Sequence, residues 1–158
     1  MIPAAPAGTR LPSPTAWFRR IADTEAVTWA LLLTGMALKY SGVTEWGVRI
    51  FGMVHGVVFI AYCLTTLVVG IDQRWPAKRI LLGLVSSIPP FLTIWFDRRA
   101  ERLGHLAESW RLLTAPPVSV PERVAAWLLR NPARGVAVGV VAVLVLTVVA
   151  LLVGPPAG

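Results

Sequence analysis

Four ionisable side chains interrupt or flank the apolar stretches of this 158-residue sequence: Glu25, Lys39, His55 and Asp97. A charged side chain at the centre of a membrane helix costs about 2.5–3.5 kcal/mol on insertion scales, so such residues are candidates for function. An Asp–His–Lys group inside a membrane could bind an anion, relay protons or hold three helices together. Whether these side chains meet depends on the segments that carry them.

Each of the four residues also has a purely structural explanation. Lys39 lies near the end of an apolar segment, from which its long side chain can extend to the lipid headgroups. Glu25 suits the first turn of a helix, where the helix dipole favours an acidic residue. Asp97 opens an Asp-Arg-Arg cluster that is typical of a membrane edge, and His55 could simply hydrogen-bond a neighbouring helix.

The composition indicates a membrane protein. Hydrophobic residues make up 56% of the chain and charged residues 15%, with a mean hydropathy of +0.68, whereas a soluble domain has about 25% charged residues. The single cysteine, Cys63, excludes an intrachain disulfide and a cysteine metal cluster. The net charge of +7 comes from basic residues that flank the apolar runs, so we expect anionic lipid headgroups as partners and not nucleic acid.

Four apolar segments predict an all-α, polytopic helical membrane protein. Residues 1–14 are rich in Ala, Pro and Gly, which predicts a disordered tail. Residues 15–102 are expected to form a three-helix membrane core, and the last segment a C-terminal transmembrane helix. The first segment lacks a following cleavage site and is therefore expected to be a retained anchor. The predicted segments are 25–44, 50–71, 80–96 and 135–158.

Residues 103–134 form a basic connection with an amphipathic pattern. Apolar residues recur at spacings of three and four, which predicts a helix that ends at Pro116-Pro117. A second short helix is expected between residues 119 and 131. Such helices lie on a membrane surface or pack against the protein's own loops, and both alternatives stay open. The apolar residues of the first pattern are Leu103, Leu106, Trp110 and Leu113.

The third segment contains Pro89-Pro90, and its course decides the topology. If all four segments cross, Lys and Arg residues are nearly balanced between the two sides. If the third segment turns back, only Lys39 and Arg49 lie opposite all the other basic residues, a strong positive-inside bias. Re-entrant backbone requires shielding by protein or water, whereas membrane helices tolerate a proline kink. We therefore expect a kinked crossing.

Counting along helices that rise 1.5 Å per residue places Lys39 and His55 within about 4.5 Å of the same depth. Asp97 lies nearly level with His55 if the third segment crosses. The sequence thus predicts one layer of Lys39, His55 and Asp97, with Glu25 at the opposite face. Two G-x-x-x-G spacings predict close helix packing, and their glycines are Gly52, Gly56, Gly135 and Gly139.

From Phe18 to Arg102 four stretches occur in a recognisable order: FRRIADTEAVTW, MALKYSG, GMVHGVVFIAY and PPFLTIWFDRR. This order resembles a domain-of-unknown-function family of small bacterial integral membrane proteins with a His-Gly pair in the second transmembrane helix. The resemblance implies a three-helix core in a bacterial plasma membrane and no established activity. One departure is Leu92, where the family pattern has glycine after Pro-Phe. The basic connection and the fourth segment lie outside the resemblance.

No phosphate-binding loop, H-E-x-x-H motif or activated nucleophile occurs in the sequence. We expect no cofactor, because haem ligation by His55 would want a second intramembrane histidine and His105 lies in the polar connection. The leading hypothesis is a non-enzymatic, multi-pass accessory or scaffold component of the bacterial plasma membrane, in a homo-oligomer or larger complex. The alternatives are a small proton-linked or anion transporter that uses Lys39, His55 and Asp97, and an intramembrane enzyme that uses the same group.

Overall fold

The computed structural model describes residues 11–154, so most of the predicted N-terminal tail and the last four residues of the fourth segment lie outside the described residues. Within that range the protein is all-helical, with no strand. Three helices are long and apolar enough to cross a membrane: α1, α2 and the C-terminal α6. The helices are α1 (Pro14–Tyr40), α2 (Trp46–Asp72), α3 (Ala77–Val85), α4 (Leu92–Arg102), α5 (Val120–Arg130) and α6 (Pro132–Val153).

Helices α1 and α2 form an antiparallel pair, each 27 residues long. Helix α1 begins well before the predicted 25–44 segment, because Ser13 caps it by accepting a hydrogen bond from the Ala16 N–H at 3.1 Å. Helix α2 covers the predicted 50–71 segment. The two backbones touch at Gly35 and Gly47, where a Cβ on Gly35 would lie 2.7 Å from the Gly47 carbonyl carbon. The closest contact therefore depends on glycines that the sequence patterns did not single out.

The third apolar segment, 80–96, is broken into α3 and α4. These helices have 9 and 11 residues, which makes them about 13 and 16 Å long, too short to cross the roughly 30 Å hydrocarbon core alone. Helix α3 packs against α2, and the Tyr62 hydroxyl of α2 donates to the Gly83 carbonyl of α3 at 3.2 Å. Helix α4 packs against α1, and the Thr93 hydroxyl of α4 donates to Glu25 Oε2 of α1 at 2.8 Å.

Helices α3 and α4 form a helical hairpin, and both ends of this hairpin lie at the same end of the α1–α2 pair. Before α3, the Trp75 indole N–H donates to the carbonyl of His105, which follows α4, at 2.7 Å. The Ala107 N–H donates to Gln73 Oε1 at 3.1 Å, and the Thr15 hydroxyl to the Ala107 carbonyl at 3.0 Å. The segment is therefore re-entrant, and the expected kinked crossing does not form.

The residues at the tip of the hairpin explain why the chain can reverse there. Ser86 and Ser87 donate their hydroxyls to the carbonyls of Gly83 and Leu84, each at 2.6 Å, which satisfies backbone acceptors at the end of α3. Pro89-Pro90 removes two N–H donors that would otherwise need partners in an apolar environment. The following Phe91 adopts a left-handed conformation, with φ of 66°.

The predicted helix over 103–113 does not form, because Gly104 takes a φ of +68° after α4 and redirects the chain. Only a short 3₁₀ turn, Arg111–Leu113, occurs in this stretch. Its apolar residues Leu106 and Trp110 are nevertheless buried. The second predicted helix, over 119–131, appears as α5 and is capped by the Ser119 hydroxyl. The connection thus packs in part against the protein's own helices, whereas Leu103 and Leu113 are exposed.

An aromatic cluster joins α1, α2 and the hairpin. Phe18 of α1 packs against Tyr62, Trp75 and Phe96 with ring centroids 5.6, 5.8 and 6.0 Å away. All four rings are buried, and edge-to-face packing of this kind adds to the stabilisation from burial. This cluster packs the two ends of the α3–α4 hairpin against one end of the α1–α2 pair.

Candidate functional site

Glu25 is fully buried in α1 and faces the hairpin. Its Oε2 atom accepts the Thr93 hydroxyl, and Thr93, also fully buried, is the second residue of α4. Since α4 begins inside the protein, its amino end places a partial positive charge near this carboxylate. The acidic residue that was expected at the first turn of its own helix instead lies at the first turn of another one.

His55 lies in α2 with 8% of its surface exposed. Its Nδ1 atom is 3.0 Å from the Thr28 hydroxyl, and the Trp29 ring packs against the imidazole at a tilt of 53°, with the ring centroids 4.5 Å apart. The Thr28 hydroxyl also donates to the Glu25 carbonyl at 2.8 Å. With that proton committed, Nδ1 carries the imidazole proton and donates to Thr28 Oγ1. His55 therefore forms the interhelical hydrogen bond that was considered as its structural explanation.

Asp97 lies in α4 at the opposite end of the hairpin from its tip. The residue is fully buried and its Oδ2 atom is 3.7 Å from Arg19 Nε and 3.5 Å from Arg98 Nη1. Arg19 also pairs with Glu101 of α4, and Arg98 reaches Asp23 of α1 at 3.7 Å. These charges form a network that ties α4 to the beginning of α1.

Lys39 is exposed at the far end of α1. Asp97 contacts Arg19, and twenty residues of α1 separate Arg19 from Lys39, which corresponds to about 30 Å. The structure therefore does not assemble the predicted layer of Lys39, His55 and Asp97. The prediction failed because it assumed that the third segment crosses, which would have carried Asp97 to the Lys39 face.

The predicted packing glycines have different surroundings. A Cβ on Gly135 would lie 2.4 Å from the Leu128 carbonyl oxygen, so this glycine permits the tight junction between α5 and α6. Gly52 faces the side chain of Leu32 at 3.7 Å. Gly56 and Gly139 meet no atom within 4 Å, so they make no close helix contact among the described residues.

Two acidic residues that the sequence patterns did not single out organise the basic connection. Asp72, at the end of α2, is fully buried and accepts the Leu112 N–H at 2.8 Å and the Arg111 N–H at 3.2 Å. Arg111 donates to Glu122 Oε1 at 2.7 Å. The sequence did contain a signal for Asp72 and Glu122: each is a single acidic residue in a region rich in arginine, which indicates a possible ion pair.

The pKa of Glu122 is lowered, first by the hydrogen bond that its Oε2 atom accepts from the Val118 N–H at 2.8 Å, and then by Arg111. A low pKa means that the ionised form stabilises the fold. Glu122 is a residue of α5, and its carboxylate holds Val118 and Arg111 of the connection. It also pairs with Arg74, which follows α2, at 3.3 Å.

The buried polar groups thus divide into a hydrogen-bonded seam inside the membrane region and a charged layer at one end. The seam consists of Glu25, Thr28, His55, Tyr62, Ser86, Ser87 and Thr93, and each of these makes at least one side-chain hydrogen bond. Across residues 11–154 no group of three His, Cys, Asp or Glu side chains could hold a metal ion. The seam can fix the positions of the helices that it joins.

Fold and site together define an all-helical integral membrane protein with a re-entrant hairpin. The chain belongs to the family described as a domain of unknown function, DUF3817, which matches residues 15–102. The matched region contains α1, α2 and the whole hairpin, and ends where α4 ends. This confirms the resemblance seen in the sequence; the match does not test the His-Gly pair.

Two relatives carry membrane-protein names. SCO5905 of Streptomyces coelicolor is 45% identical over 106 residues, which cover 66% of this chain but only 12% of that relative. YdzA of Bacillus subtilis, named an uncharacterized membrane protein, is 35% identical over 68 residues, which cover 43% of this chain and 71% of YdzA. No solved structure matches the chain.

Proposed function

We propose that this protein is a non-enzymatic accessory component of the bacterial plasma membrane that packs against another membrane protein within the bilayer. The supporting observation is the tip of the hairpin, residues 86–91. This tip touches the middle of the spanning helices, since the Trp29 indole donates to the Ser87 carbonyl at 3.3 Å. Its outer side is exposed, with Ile88 62% and Phe91 45% accessible.

Irregular backbone at membrane depth is stable only where protein or water covers it, because lipid chains offer no hydrogen bonds. The exposed outer side of the tip is apolar, which suits contact with another membrane protein that would shield the irregular backbone beneath it. A helix from another membrane protein, or from a second copy, supplies such a cover. Nearby Gly56, with nothing within 4 Å, would allow that helix to approach α2 closely.

The length of one relative supports a larger partner. In SCO5905 the region similar to this chain is 12% of a much longer protein, so a domain of this kind is covalently joined there to a large additional chain. We infer that the present chain makes a corresponding association with a membrane partner. A homo-oligomer is the other arrangement that would cover the tip.

The basic residues support an orientation and a lipid partner. Within residues 11–154, all Lys and Arg residues except Lys39 and Arg49 lie at the end of the molecule that carries the hairpin's ends and α5. The positive-inside rule then favours a cytoplasmic location for this end. There the arginine-rich connection would contact the anionic headgroups of the inner leaflet.

Photo-crosslinking from the hairpin tip in native membranes would test the proposed role. A photoreactive amino acid replaces Ile88, and the matched control carries it at Val141 of α6, which is similarly exposed at 58%. We expect one discrete protein adduct from position 88 and only lipid adducts from position 141. A strictly monomeric protein in mild detergent, with no adduct from position 88, would contradict the proposal.

The transporter alternative loses its geometric basis, because Asp97 contacts Arg19 and Lys39 lies about 30 Å further along α1 from Arg19. The accessory role is the one that the geometry supports best.

A further inference from the structure

Glu25 has an incomplete set of partners. Its Oε2 atom accepts the Thr93 hydroxyl at 2.8 Å, whereas its Oε1 atom is buried without a hydrogen-bond partner among residues 11–154, since the neighbouring Trp29 indole N–H donates to the Ser87 carbonyl. No Lys or Arg in that range forms an ion pair with it. A carboxylate buried in this way is strongly destabilised unless its charge is compensated.

The amino end of α4 compensates only part of that charge. A helix terminus provides roughly half a positive charge, and α4 directs it at Glu25 through Thr93. This is the arrangement by which broken membrane helices bind ions, with half-helix termini that point into the protein. Here the anion is the Glu25 carboxylate itself, so a cation is required to neutralise the rest of its charge.

We propose that Glu25 and Thr93 form an intramembrane binding site for a small monovalent cation, a proton or Na⁺. The Thr93 hydroxyl lies 2.8 Å from Glu25 Oε2 and 3.4 Å from the Ala22 carbonyl oxygen. With a proton on Oε2, Glu25 donates to Thr93, which then donates to Ala22, so both hydroxyl groups are satisfied. With Na⁺, the free Oε1 atom, the Thr93 hydroxyl and the Ala22 carbonyl supply oxygen ligands.

The neighbouring groups provide no competing cation. Helix α2 places Tyr62 and Cys63 near Glu25, and His55 is linked to it only through Thr28. Around the turn after α3 lie Ser86 and Ser87, which do not titrate. One turn after Thr93, the Asp97 carboxylate lies against Arg19, which is also held by Glu101. The compensating charge must therefore come from solution, and this site is independent of the proposed partner.

The test is the infrared spectrum of the full chain in lipid nanodiscs, which separates a neutral carboxylic acid from an ionised carboxylate. Wild type is compared with Glu25→Gln, which keeps the side-chain size and removes the charge. The matched control is Glu45→Gln, since Glu45 is an exposed carboxylate at the opposite end of α1 and α2. Spectra are recorded over a range of pH in NaCl and in choline chloride.

If a proton is the ligand, a neutral-acid band at about pH 8, where ordinary carboxyl groups are ionised, is present in wild type and in Glu45→Gln, absent in Glu25→Gln, and unaffected by Na⁺. If Na⁺ is the ligand, NaCl converts that band to the ionised form at constant pH, while choline chloride does not. Thr93→Val keeps the shape of the side chain and should shift the Glu25 signal, which serves as a second readout if Glu25→Gln fails to fold. A Glu25 carboxylate that is ionised at about pH 8 in choline chloride as well as in NaCl would overturn the proposal.

Discussion

The family-matched core of α1, α2 and the hairpin differs from α6 in how it is held in place. The core buries aromatic rings and a seam of hydrogen-bonded polar side chains, whereas none of the 22 residues of α6 is buried. Helix α6 is the most hydrophobic of the three candidate spans. In a membrane, hydrophobicity inserts a helix but does not fix its contacts, which depend on packing and on interhelical hydrogen bonds. Side-chain identity should therefore matter in the core and matter little in α6.

The largest expected difference concerns the aromatic cluster. Phe18→Ala should lower the free energy of unfolding by about 3–5 kcal/mol, because it removes a fully buried ring and leaves a cavity. Leu144→Ala, at an exposed position of α6, should change it by less than about 1 kcal/mol. Denaturation by SDS from mild-detergent micelles, followed by tryptophan fluorescence, measures both. Equal losses would remove the distinction between core and α6.

Two glycines provide a comparison at constant chemistry. Gly35→Ala places a methyl group 2.7 Å from the Gly47 backbone, which no rotamer change can relieve, and should cost about 1–3 kcal/mol. Gly139→Ala on α6 meets open space and should be neutral or slightly stabilising because alanine favours helix. The same SDS titration applies. A destabilising Gly139→Ala would mean that α6 packs tightly against something.

A smaller effect is expected from the buried tyrosine hydroxyl. Tyr62 lies 3.2 Å from the Gly83 carbonyl and 3.1 Å from the Ser86 hydroxyl, so Tyr62→Phe should cost about 0.5–1.5 kcal/mol. The matched change, Thr147→Val on α6, removes a hydroxyl that has no hydrogen-bond partner among residues 11–154 and should not destabilise the protein. If Tyr62→Phe were also neutral, hydrogen bonds of the seam would not hold the hairpin.

The smallest expected effect is on the stability of the protein at low pH. Because the pKa of Glu122 is lowered in the folded protein, its contribution is present above the usual carboxyl range, about pH 4, and is lost as the pH falls through the lowered value. Wild type should therefore lose more stability in acid than Glu122→Gln does. Parallel pH profiles of the two proteins in the same unfolding assay would contradict the role of this carboxylate.

Much of the fold could be predicted from hydrophobic segments, because α2 and α6 each contain a long uncharged run. The hairpin could not, since Pro89-Pro90 is compatible with both a kinked crossing and a reversal, and only the contacts of Trp75 and Gln73 with the residues after α4 decide between them. Glu25 and His55 were recognised as unusual residues. Their partners Thr93 and Thr28 were not, because threonine is common in membrane helices and gives no pattern.

The central claim is that the hairpin enters and leaves on one side of the membrane. In a Cys63→Ala background, single cysteines are placed at the exposed positions Lys78, Glu108 and Val43, and intact cells are treated with a membrane-impermeant thiol reagent. We predict that Lys78→Cys and Glu108→Cys are labelled only after the membrane is opened, and that Val43→Cys is labelled from outside. Labelling of positions 78 and 108 from opposite sides would contradict the account.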